Sequence, residues 1–186
     1  MPQMSQVSLE NIKKNTIIYS TEVVHFFSNY CTSQESTISL HRKYLELHEE
    51  CFEFISSGHA DKKSLKLSLA LYKITSLFYT ITIIIDRLYY SAQTNQLFSL
   101  DIDDLKSEIT KKMNQTIDCF SYSDMTKARL LYEKQAQLTL KLSHFEKKVY
   151  YEIQNNNSFL ADGLKSIKTA HYLQEIDKNL TLVIES

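Results

Sequence analysis

Apolar residues recur along this chain in steps of three and four, in six stretches separated by short polar breaks. That period matches the turn of an α-helix laying one face on a core. The clearest run lies between about Lys62 and Ala92, where Leu67, Leu71, Ile74, Phe78, Ile81, Ile85 and Leu88 alternate in steps of four and three. Leu65, Leu69, Tyr72, Leu77 and Ile84 widen the stripe, so this helix is expected at the centre, covered on several sides. Its Thr and Ile content makes a strand the competing local reading, and the length of the pattern decides for helix.

The other stretches run from about Leu9 to Tyr30, Ile38 to Ile55, Ile102 to Phe120 and Met125 to Ile153, and from the break "QNNNS" to the chain end. At "SSGHAD", Gly58 can close one helix and Asp61 can cap the next. "QTNQLFSLDIDD" reads as the linker between halves, with Ser99 or Asp101 as a cap, and Ser123 or Asp124 starts the fifth helix. The second half repeats the order of the first, over approximate repeats 9–93 and 100–185 of a single helical domain spanning 1–186. "VVHFFS" from Val23 lies over "TIDCFS" from Thr116, and "LHEECFEF" from Leu47 over "SHFEKKVY" from Ser143. "ITSLFYTITIIID" from Ile74 lies over "LQEIDKNLTLVIE" from Leu173, with apolar matches at Ile74/Leu173, Leu77/Ile176, Ile81/Leu180 and Ile84/Val183.

Composition sharpens this picture. Two Gly and one Pro in 186 residues leave no material for hairpins or glycine-rich phosphate loops, which points to an all-α fold. A net charge of −1 with acids and bases interspersed offers no footprint for nucleic acid and no basic stripe for an anionic membrane. Cys31, Cys51 and Cys119 are odd in number and lack a CxxC pair, so they read as reduced, core-facing thiols of a cytoplasmic protein. The uncharged apolar run from Ile74 to Ile85 is shorter than the ~20 residues of a membrane span, so no membrane insertion is expected.

Two tandem three-helix units, each closing on a long helix, resemble the PhoU family, including the PhoU-like cytoplasmic domain of sodium/phosphate cotransporters. The family signature, about L-E-R-I-(G/A)-D-H-x-x-N-I-A-E, lies late in each third helix, and Leu173, Ile176, Val183 and Glu185 occupy matching positions here. The resemblance implies a role in phosphate transport or signalling. The family's metal motif sets two carboxylates one turn apart on a helix face, and this chain has Gln174 and Lys178 there, followed by Asn179. The first repeat has Thr75, Tyr79 and Thr80 at the equivalent positions. A protonated lysine has no lone pair for a cation, so the metal cluster is expected to be missing and no cofactor is assigned. Glu175 and Asp177 are two apart and point to different sides of a helix.

Other candidate chemistry is sparse. Glu22 and His25 have the Glu-x-x-His spacing of di-iron bundles, without the second copy such sites need. His41, His48 and Cys51 share one helical face that could hold a metal, and Glu46, Glu49, Glu50 and Glu53 form an acidic face beside them. "SGHADKKS" sets a histidine near lysines, at a break rather than on a helix. No nucleophile turn is present, so no catalytic residue is assigned. Tyr89, Tyr90, Tyr150 and Tyr151 suit either a bundle edge or a protein interface.

The expected function is therefore a non-enzymatic regulatory or scaffold module acting by protein contact, with a transporter or sensor component as partner and a homodimer compatible with it. The alternatives are a metal-binding sensor using the His/Glu faces and a generic helical interaction or chaperone protein. The chain ends on an apolar helix without a C-cap, which favours a fragment or a docked end.

Overall fold

The computed structural model describes residues 8–29, 35–57, 61–92 and 99–186. Six α-helices account for nearly all of them: α1 (Leu9–Ser28), α2 (Glu35–Ser56), α3 (Lys62–Ala92), α4 (Ser99–Tyr122), α5 (Met125–Asn155) and α6 (Leu160–Ile184). Among the described residues there is no strand, so the β-prone sequence of α3 is held in a helix by its burial.

The helix ends follow from side chains that accept the orphan N–H groups of a first turn. Ser8 accepts from Asn11 N at 3.2 Å, Asp61 from Ser64 N at 2.6 Å and Asp124 from Lys127 N at 3.0 Å. Between α4 and α5, Ser123 adopts φ 53°, a left-handed conformation that L-residues rarely take. Its neighbour Asp124 donates its N–H to Cys119 O at 2.9 Å, closing α4 in the manner of a Schellman turn. Of the two expected caps at this break, Asp124 is the one used, and it serves both helices.

Some boundaries need correction. α4 begins at Ser99, so Asp101 sits inside its first turn and half of the expected linker is helix. α2 begins at Glu35, a turn earlier than its apolar pattern. Asn157–Phe159 forms a short 3-10 turn before α6, capped by Asn156 through Ser158 N at 3.0 Å. Gly58 and His59, Tyr30 and Cys31, and the linker centre lie outside the described residues.

α1, α3, α6 and α4 pack around a ring, each against the next, and α4 closes on α1. α2 lies outside the ring on α1 and α3, and α5 lies outside it on α4 and α6. Phe78 of α3 and Phe120 of α4 meet edge-on across the ring, with centroids 6.5 Å apart. The expected central helices are confirmed in place. Leu71, Ile74, Phe78, Ile81, Ile85 and Leu88 of α3 and Leu173, Ile176, Leu180 and Val183 of α6 are all buried. Leu67 and Leu69 depart from expectation and are exposed, because Ser68 and Leu71 are the residues that the first turns of α3 turn inward. By length and apolar composition, Lys62–Tyr89 is the one described stretch able to cross a membrane, and half of its most apolar window is buried within the bundle.

Candidate interaction surface

The positions that carry a metal motif in PhoU-like proteins hold ordinary polar contacts here. Gln174 donates to Glu146 at 3.0 Å, Asn179 donates to its own helix at Glu175 O at 2.8 Å, and Lys178 is exposed. Thr75 is buried, bonding back to Leu71 O at 2.9 Å and facing Thr16 at 3.5 Å, while Thr80 bonds back to Ser76 O. Glu175 is exposed. Asp177 is buried and forms an ion pair with Lys112 of α4, whose Nζ also reaches Thr181 Oγ1 at 3.2 Å. That inward triad was missed from the sequence. A usable signal was there, since Asp177 sits four residues after Leu173 and three before Leu180, on the apolar face itself.

The histidine motifs separate in the same way. Glu22 pairs with Lys43 of α2, and His25 contacts Asn29 one turn on. His41 Nδ1 meets the Tyr79 hydroxyl at 2.8 Å, and His48 Nε2 meets the Tyr72 hydroxyl at 2.7 Å. Cys51 is fully buried in a small cluster with Ile12 and Leu71. Among the described residues, no three His, Cys, Asp or Glu side chains converge on a point that would hold a metal. In the acidic face, Glu50 accepts from Asn15 of α1 at 3.2 Å, while Glu46, Glu49 and Glu53 stay exposed.

Together the histidines and tyrosines form a ladder along the seam of α2 and α3. Tyr44 and Tyr79 stack with centroids 3.9 Å apart and planes 5° from parallel, His41 lies on one side of that stack, and His48 and Tyr72 extend it on the other. Beneath it, burial pushes the Tyr19 phenol well above its ordinary range, opposed in part by the Thr82 hydroxyl. Each ring presents an apolar face to its neighbour and a polar atom to a partner, which fixes α2 against α3 with its opposite face outward.

That outward face is apolar. Leu40, Leu47 and Cys51 turn toward the core, whereas Ile38, Leu45 and Phe52 recur every seven residues on the far side, 67%, 50% and 62% exposed. A seven-residue spacing stacks side chains into one narrow stripe along a helix, the pattern of a helix–helix seam. Arg42 and Glu49 flank the stripe on one edge, His41 and His48 on the other. The exposed apolar residues of α5, namely Met125, Leu130, Tyr132, Leu140, Tyr150 and Tyr151, fall at uneven spacings along the helix and form no regularly repeating stripe. Of the tyrosine pairs, Tyr150 and Tyr151 are thus exposed, and Tyr89 packs partly against the core.

A groove of about 530 Å³ between α4 and α5 is lined by Asp101, Asp104, Glu108, Lys141, His144 and Lys148. Its charges largely neutralise each other, through Lys148–Asp101 at 2.7 Å and a close Lys141–Glu108 pair. Comparison of the chain with family models, with curated proteins and with solved structures finds no match.

Proposed function

We propose that this protein is a non-enzymatic helical scaffold or regulatory module that works by protein contact, with the outer face of α2 as its docking surface. The observation that carries this reading is the stripe of Ile38, Leu45 and Phe52. These are three large apolar side chains held in line on a helix whose opposite face is already committed to the core. Leaving such a stripe in water forgoes about 25 cal/mol for each Å² of apolar area, and a partner would recover it. Each of α1, α2 and α3 packs on the other two, as each of α4, α5 and α6 does, and this like pattern in the two halves is what supports a duplicated, PhoU-like plan. The link to phosphate transport or signalling, and a cytoplasmic setting, rest on the resemblance in residues 173–185 and on the cysteine usage.

A photo-reactive side chain placed at position 45, with a control at exposed position 136 on α5, tests the docking surface in the cell that makes the protein. Discrete adducts from 45 that are missing from 136 are expected, and peptide mass spectrometry would identify the chain they join. Equal yields from both positions, or none from 45, would remove this face from the reading.

A further inference from the structure

The charges beside the stripe name its occupant. Arg42 and Glu49 lie on the same edge of the α2 stripe, seven residues apart and both exposed. Neither is in an ion pair among the described residues, although Lys43 and Glu50 next to them are bonded to α1. A free positive and a free negative group are thus set at nearly equal distances on either side of Leu45. An antiparallel helix related by a twofold axis through Leu45 would face Leu45 with Leu45, Ile38 with Phe52, and Arg42 with Glu49. The last two contacts would each occur twice.

A twofold axis of this kind brings the same edge of both helices together, so the Arg42 edge of one copy meets the Glu49 edge of the other. A parallel pairing would instead set the Arg42 and Glu49 edge of one copy against the His41 and His48 edge of the other, where Arg42 does not meet Glu49. We therefore propose that the stripe of α2 is an isologous interface: the outer face of α2 binds α2 of a second copy of this chain, antiparallel and centred on Leu45. Resting on the docking-surface reading above, it commits that surface to self-association.

The interface is modest, since three apolar anchors per copy form its centre, so it is reversible and concentration-dependent. It also leaves the other faces of the bundle open, α5 among them.

Sedimentation velocity of the full chain from about 1 µM to about 1 mM reads the association directly. A monomer–dimer equilibrium is expected within that range. Arg42→Glu and Glu49→Arg should each weaken it by about tenfold or more, by opposing like charges in two symmetric places. The double variant carrying both changes in one chain should recover it, and so should an equimolar mixture of the two single variants, because both restore every opposite-charge pair. Matching thermal melts for the variants confirm that the fold is unchanged. Single variants that dimerise as well as the parent, or a double variant that stays as weak as the singles, would overturn the antiparallel pairing. A chain that stays monomeric at the highest concentration would overturn the second-copy occupant. The position-45 cross-link then separates the two readings. An adduct to another protein alone would keep the docking surface and reject self-association, and the absence of any adduct would reject both.

Discussion

Asp177 shows how much a single buried charge depends on its partner. With the Lys112 ammonium against it, itself held by the Thr181 hydroxyl, the carboxylate is compensated between α4 and α6. Lys112→Met would leave it unpaired in the interior and should cost about 3–5 kcal/mol in urea unfolding. Removing both charges, as Lys112→Met with Asp177→Leu, should return much of that loss, since an apolar pair of similar volume needs no desolvated ions. A double variant as unstable as the single one would contradict the account. Cys51 offers a second check. Burial, with a smaller push from Glu50, raises its thiol from 9.0 to about 11. The folded state therefore disfavours the thiolate, and Cys51 adds stability below about pH 9 that is lost as pH climbs toward 11. In alkaline unfolding curves, Cys51→Ala should flatten the slope across that window, and an unchanged slope would assign it to other groups. At neutral pH a thiol reagent should label Cys51 only through opening of the fold.

Where α5 and α6 cross, the spacing is set by a residue with no side chain. A Cβ on Gly163 would run into Ile153 and touch Val149 at 3.4 Å. Gly163→Ala gains about 1 kcal/mol of helix propensity and meets an overpacking cost of about 1–3 kcal/mol, so a net loss of about 1 kcal/mol is expected. The sign should reverse in an Ile153→Ala background, measured by the same unfolding midpoint. Helices of this kind were readable from the sequence because burial follows the 3.6-residue period. α3 and α6 show it most plainly, and Asp61 and Asp124 are caps that a local reading finds. The misses have local reasons too. α4 starts a turn early because polar residues can extend a helix without leaving an apolar trace. His41 and His48 suggested a metal by spacing, whereas their hydroxyl partners, Tyr79 and Tyr72, come from α3 and are invisible in the sequence of α2. The stripe of Ile38, Leu45 and Phe52 was hidden for a similar reason. Until α3 fixes which side of α2 is inward, those residues look like part of its core face.

The arrangement of helices also ranks them by how they are held. α3 touches α1, α2 and α6, and α6 touches α3, α4 and α5, whereas α2 and α5 each lean on two neighbours and face water on the rest of their surface. Either outer helix can leave while the ring of α1, α3, α6 and α4 stays closed. Opening of this sort is a local event with a free energy below that of global unfolding. Native-state hydrogen exchange should accordingly show the amides of α2 and α5 exchanging first, each as its own unit, and those of α3 and α6 last. Uniform protection across all six helices would mean that the outer pair is bound into one cooperative whole. If the order holds, the helix that presents the apolar stripe is also one the molecule can release without coming apart, and adding the partner copy should slow exchange in α2 while leaving α5 unchanged.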